Sequence, residues 1–155
     1  MLAGCAVRMS DAYFYDAASG LLTREAFSFM LDHHLKQAQR AQEFLTLVIF
    51  IAERECREIV ATADELILKE LSRLIRCAVR STDLLARTAD GVVSLLLVGI
   101  DLDRARRVIA RINQHLRRYC PSPALRIRIG AACCPTHASN ARDLLQQALS
   151  QPIES

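Results

Sequence analysis

The segment Asp83-Leu84-Leu85-Ala86-Arg87-Thr88-Ala89-Asp90-Gly91-Val92-Val93-Ser94-Leu95-Leu96-Leu97-Val98 decides the fold. Two strand-like runs, 83–87 and 92–98, are joined through Thr88-Ala89-Asp90-Gly91, and Asp-Gly between apolar runs is among the strongest short-range hairpin signals. The second run is almost continuously apolar, which places it inside a sheet covered on both faces.

Working outward, residues 64–79 carry Ile67, Leu68, Leu71, Leu74, Ile75 and Ala78 at spacings of three and four, a helix with one buried face. Asp64 and Glu65 sit at its positive end, where negative charge is favourable. Phe44 to Ala52, broken only by Thr46, is too short for a buried helix and reads as a central strand. Before it, 23–42 is amphipathic through Ala26, Phe27, Met30, Leu31, Leu35, Ala38 and Ala41, with Thr23 as cap. After the hairpin, 101–119 is a helix capped by Asp101, with Ala105, Val108, Ile109, Ile112 and Leu116 inward and Pro121 and Pro123 to stop it. Leu125, Ile127 and Ile129 alternate with Arg126 and Arg128 in a half-exposed strand running toward Cys134, and 140–149 closes the chain as a short helix. The order implies an α+β fold: a split β-α-β-β-α-β core, mainly antiparallel sheet flanked by helices, with an added helix at each end.

The composition fits one such domain. The chain has 155 residues, 52% hydrophobic and 24% charged, with Gly 5 and Pro 4, which excludes a disordered tail, a low-complexity array and a second large core. No apolar stretch reaches the ~18 to 20 residues that span a bilayer, so a protein without a membrane span is expected. Leu2-Ala3-Gly4-Cys5 looks like a lipoprotein cleavage box but has only Met1 before it, and is taken as chance. The six cysteines, Cys5, Cys56, Cys77, Cys120, Cys133 and Cys134, form no C-x-x-C pair and mostly sit in apolar patterns, which suggests a reducing cytoplasm. Adjacent His33 and His34 point apart on a helix and lack zinc-type spacing with cysteines or carboxylates. Net charge is +3, drawn from 18 Arg and 2 Lys. Arginine suits phosphates, carboxylates and guanine edges, but a coding sequence rich in GC explains the excess as well. Arg104, Arg106, Arg107, Arg117 and Arg118 cluster around the third helix. Interleaved Asp101 and Asp103, with no aromatic platform beyond Tyr119, speak against nucleic acid and for a solvated face.

Several motifs in order resemble the GGDEF domain of bacterial diguanylate cyclases. Asp16-Ala17-Ala18-Ser19-Gly20-Leu21-Leu22-Thr23-Arg24-Glu25-Ala26-Phe27 is similar to D-x-L-T-G-L-x-N-R-R-x-F. Glu65 to Glu70 and Asp83 to Arg87 match the helix and strand leading into the signature. Arg128-Ile129-Gly130-Ala131-Ala132 resembles the S-I-G-x-A strand, and Arg142-Asp143-Leu144-Leu145 the start of the last helix. The resemblance implies a nucleotidyl-cyclase/ferredoxin-like fold over residues 16–152, with 1–15 as a lead segment.

It also implies where the chemistry should lie, and there this sequence departs. Where the family has x-G-G-D/E-E-F, this chain has Ala89, Asp90, Gly91, Val92 and Val93, a degenerate signature. In the family's D-x-D-x-F-K stretch Phe50 takes the place of the metal-binding Asp. The guanine-binding Asn falls in a shortened stretch near Cys56, and Glu65 replaces a substrate-contacting Asp. Magnesium needs hard oxygen ligands that Phe50 and Val92 do not carry. The expectation is therefore no catalytic residue, no metal, no cofactor and no enzyme.

One family element remains. An R-x-x-D product-binding site ending five residues before the signature is matched by Arg80-Ser81-Thr82-Asp83, and the second Arg of that site by Arg111. Arginine can pair bidentately with guanine O6 and N7, a carboxylate can accept from guanine N1 and N2 hydrogens, and a second arginine can neutralise phosphate. A bare surface ion pair is the alternative for the same residues. The expectation is a cytoplasmic receptor for cyclic di-GMP through Arg80, Asp83 and Arg111. It would regulate a partner or neighbouring domain, as a homodimer or with another bacterial signalling or secretion protein, and not bind nucleic acid. The alternatives are a ligand-independent interaction or dimerisation module with vestigial nucleotide sites, or a site that holds GTP without turnover.

Overall fold

The computed structural model describes residues 14–16, 19–56, 59–62, 65–119 and 125–153. Among them the elements follow as α1 (Arg24–Ala41), β1 (Leu45–Cys56), β2 (Ile59–Thr62), α2 (Glu65–Ala78), β3 (Leu84–Ala89), β4 (Val92–Val98), α3 (Leu102–Tyr119), β5 (Leu125–Cys134) and α4 (Ala141–Ser150). The lead segment before Phe14, with Cys5, lies outside the described residues, as do Ala17, Ala18, Asp64, Cys120, Pro121 and Pro123.

β1 is the central strand. It pairs antiparallel with β4 on one side, from Leu45↔Val98 to Ile51↔Val92, and with β5 on the other, from Leu45↔Cys134 to Arg54↔Leu125. β3 lies outside β4, antiparallel to it. This is the split β-α-β-β-α-β arrangement with α1 and α4 added, as the hydrophobic pattern requires. β2 was not foreseen. β1 does not stop at Ala52 but runs on to Cys56 and folds back, pairing Glu53↔Thr62 through Cys56↔Ile59. Glu53 and Arg54 give no apolar run to read; neighbours on both sides hold them extended, since Glu53 also pairs with Arg126.

Side chains of β1 alternate between two cores. Val48, Phe50 and Ala52 pack with α2 and α3, joined by Leu68, Leu71, Ile75, Ile109 and Ile112. Leu45, Leu47 and Ile49 pack on the opposite face with Phe27, Leu31 and Leu35 of α1 and Leu144 and Ala148 of α4. Burying a leucine or isoleucine contributes about 1.5–3 kcal/mol, so both faces are needed to order the sheet. α4 lies against Gly130, where a Cβ would collide with the Ala148 carbonyl.

The two expected caps, Thr23 and Asp101, form, and Asn140 supplies a third. Ala26 N–H donates to Thr23 Oγ1 at 3.2 Å, Arg104 N–H to Asp101 Oδ1 at 2.9 Å, and Asp143 N–H to Asn140 Oδ1 at 2.9 Å. In the hairpin only Gly91, at φ 70°, takes a left-handed conformation, because Gln42 is the one positive-φ residue other than glycine among those described. The turn therefore differs from the mirror-image type favoured by Asp-Gly, and a register shift between Arg87 and Ala89 supplies the extra twist.

Candidate functional site

Arg80, Asp83 and Arg111 come to one corner, built from the end of α2, the loop 79–83, the end of β4 and the middle of α3. The loop is organised by Asp83. Its carboxylate is 2% exposed; Oδ2 accepts the Arg80 backbone N–H at 2.9 Å and Oδ1 the Val98 N–H at 3.4 Å. The Asp83 N–H in turn donates to the Arg80 carbonyl at 3.1 Å. Both carboxylate oxygens thus serve the backbone instead of facing solvent, Oδ2 closing the turn and Oδ1 tying it to β4.

The Arg80 side chain behaves differently. Its guanidinium is 59% exposed, donates from Nη2 to the Val98 carbonyl at 2.9 Å, and stands 3.6 Å from Asp83 Oδ1. Arg111 reaches back along α3 so that Nη2 donates to the Ala78 carbonyl at 2.9 Å, one of the orphan acceptors at the end of α2. Of the three residues expected to bind, the structure leaves one arginine largely open, places a second at the adjacent helix end, and turns the carboxylate inward.

Sequence reading missed what lies beside Arg80. A cleft of about 840 Å³ runs from Arg76, Arg80 and Asp83 to an apolar floor that includes Phe14, Met30 and Leu84. Arg76, four residues before Arg80 on α2, was the available signal.

The signature hairpin is a separate place. Phe50 is fully buried, opposite Val93 on one side and Ile129 on the other. Val92 is half-buried beside Ile51, while Ala89 and Asp90 are exposed. A phenyl ring and an isopropyl group stand where the family's metal carboxylates were expected, so these residues do not fit a magnesium ion. Gly91 is buried, and its carbonyl accepts the Ala52 N–H at 2.8 Å.

Arg87, at the foot of the hairpin, joins three segments. It makes a fork to Glu65, with Nη1 to Oε2 and Nη2 to Oε1 both at 2.6 Å, and lies 3.7 Å from Asp16 and 3.4 Å from Asp90. The Glu65 hydrogen bond is the main reason its pKa is raised, with Glu65, Asp16 and Asp90 charge adding to it. Glu65, read from sequence as a charge at the helix start and a replaced substrate contact, is therefore engaged with the hairpin. Asp16, Glu65 and Asp90 lie in three separate motifs, and nothing local announces that they share one cation.

An antiparallel sheet with paired helices on each face, a glycine-turned hairpin beside its central strand and an Arg-x-x-Asp turn before it define a nucleotidyl-cyclase type of domain. The family model described as "Diguanylate cyclase, GGDEF domain" matches residues 13–151, and the chain belongs to that family. A GGDEF-only form of TpbB (YfiN) from Pseudomonas aeruginosa is similar at 23% identity, TM-score 0.74, covering 86% of this chain and 83% of that one. The diguanylate cyclase SiaD from the same organism, solved with its activator SiaC, is similar at 16% identity and TM-score 0.75 over 97% of this chain and 61% of that one. The coiled coil and GGDEF domain of DgcB from Caulobacter crescentus, solved with c-di-GMP, is similar at 11% identity and TM-score 0.75 over 96% and 83%. No curated protein sequence matches significantly. The family assignment corrects one expectation: the view that the chain is no enzyme is overturned, because the matching model is that of diguanylate cyclases and SiaD is itself one. Among the described residues no helix is long and apolar enough to cross a membrane.

Proposed function

We propose that this GGDEF domain is a receptor for cyclic di-GMP at the corner formed by Arg80, Asp83 and Arg111. The reading rests on one observation above the others: the Arg80 guanidinium is more than half exposed over a turn whose geometry Asp83 holds rigid. Arg80 would leave the Val98 carbonyl and present its fork to guanine O6 and N7, and Arg111 would offset a phosphate. Asp83 enters mainly as a positioning residue, because in this conformation its oxygens serve the backbone. That DgcB was solved with c-di-GMP supports the choice of ligand.

In this reading the signature at Ala89 to Val93 is degenerate, residues 16–152 form the domain with 1–15 as lead, and no cofactor is needed for the receptor role. Occupancy would be passed to a second copy or to another bacterial signalling or secretion protein; SiaD, solved with its activator, is a relative that does assemble with a partner. A cytoplasmic location is supported by the free thiols of Cys77, Cys133 and Cys134.

Calorimetry with cyclic di-GMP tests the proposal on wild type, Arg80→Ala and Arg111→Ala. Losing a charge-assisted hydrogen bond is worth about 1.5–3 kcal/mol, so Arg80→Ala is expected to weaken binding by roughly tenfold or more. No heat for wild type, or the same heat for Arg80→Ala, overturns it. The ligand-independent module is favoured by one observation, the exposure of Phe29, Leu66 and Leu149. It predicts a stable oligomer by light scattering without nucleotide.

A further inference from the structure

Along α3, from Arg106 to Arg117, a groove of about 470 Å³ lies between the helix and the segment that follows α4. One wall is the helix stripe Arg106, Ala110, Asn113 and Arg117, residues four, seven and eleven apart, which fall on one face at 100° per residue. The other wall is Pro152 and Ile153. These two residues are held by the outer edge of β5, through a bridge Gly130↔Pro152 and the Ile153 N–H donating to the Ile129 carbonyl at 2.7 Å.

Three donors line this groove without acceptors. Arg106 and Arg117 are exposed and have no hydrogen-bond or ion-pair partner among the described residues. Between them the Asn113 Nδ2 is buried and makes no hydrogen bond, the only such side-chain atom among the described residues. A buried amide donor left unmade costs about 1–3 kcal/mol, and two unneutralised guanidiniums flank it. The sequence reading of this arginine cluster as a plain solvated face accounts for Arg104 and Arg107. It does not account for an unpaired amide sunk between two open cations.

We propose that this groove binds an acidic extended peptide segment of a partner protein. The two arginines are ~16.5 Å apart along the axis, from eleven steps of 1.5 Å. An extended chain rises ~3.3 Å per residue, so carboxylates of one face four or six residues apart span ~13 or ~20 Å, within reach of two flexible arginine arms. Ala110 leaves room for the backbone, and a turn of the Asn113 side chain would bring its amide to a peptide carbonyl, the acceptor that it lacks. The strand-like bridging at Ile129 shows that the β5 edge already accepts an extended segment there. Against nucleic acid stands Asp103 on the same helix, whose charge repels a phosphate backbone.

The probe is a fluorescein-labelled peptide of alternating glutamate and valine, about ten residues long, followed by anisotropy at low and high salt. Saturable binding that weakens with salt is expected. The double variant Arg106→Glu with Arg117→Glu should lower affinity by at least about tenfold, while Arg104→Glu with Arg107→Glu should stay within about twofold. Amide chemical shifts of the wild-type protein provide the second readout, with the Asn113 side-chain signal moving on titration. No saturation, equal losses in the two double variants, shifts that map away from Arg106, Asn113, Arg117 and Ile153, or tighter binding of a single-stranded oligonucleotide of equal charge each overturn the proposal. Because the groove residues and the cyclic di-GMP corner of Arg80, Asp83 and Arg111 have no residue in common, failure of either proposal leaves the other standing.

Discussion

Replacing Gly130 by alanine is the sharpest test of how α4 is seated. Gly130 lies in β5 at a φ that any residue can adopt, since it is not among the left-handed glycines Gly20, Gly91 and Gly99. The effect is therefore steric. A Cβ there would overlap the Ala148 carbonyl oxygen and stand 3.0 Å from its carbon and 3.3 Å from the Gln151 carbonyl oxygen. Carbon–carbon contacts are comfortable at about 3.5–4.0 Å, so α4 must retreat by roughly 1 Å or more. All three close atoms belong to backbone, which cannot rotate aside. Retreat loosens Leu144 and Ala148, each fully buried, and overpacking of this kind costs about 1–3 kcal/mol with occasional larger values. For a domain of this length ~3 kcal/mol lowers Tm by about 6–12 °C. The assay is thermal unfolding followed by circular dichroism, with Gly99→Ala as comparison. Gly99 has φ +72° and open space around it, so its variant carries only conformational strain of about 1–2 kcal/mol. A Gly130→Ala Tm within about 2 °C of wild type would refute the close docking of α4 on β5.

Asp83→Asn keeps the side-chain shape but replaces an acceptor-only carboxylate, so one buried backbone N–H loses its partner; urea unfolding should show a loss of about 1–3 kcal/mol, and an unchanged midpoint would contradict the inward turn. The His34 pKa is lowered, first by burial and then by the His33 charge. A histidine with a depressed folded pKa binds protons more readily when unfolded, so stability is complete above the unfolded value of 6.5 and is lost as pH falls toward the folded value. Unfolding midpoints from pH 7.5 down to about 5 should fall less in His34→Gln than in wild type, and parallel curves would remove His34 from the account.

What the sequence determined by itself was every element except β2, and the faces those elements bury. Helical spacing in α1, α2 and α3, the apolar run of β1 and the alternation in β5 are local signals, set by the 3.6- and 2-residue periods of the backbone, and they survive in any context. The caps at Thr23, Asp101 and Asn140 and the turn at Gly91 are local too. The order of motifs was sufficient to suggest the family. Only tertiary structure decided the rest. β2 and the extension of β1 exist because Glu53 and Arg54 find ladder partners on both sides, which no stretch of sequence contains. Asp83 looked like a ligand acceptor because spacing fixes which residues are near, and not which way a carboxylate turns; the Val98 N–H that claims it comes from another strand. Arg87 gathers carboxylates from three distant segments for the same reason. The groove beside Asn113 needs α3 and the segment after α4 at once, and an unpaired amide becomes meaningful only when a second element shuts water away from it.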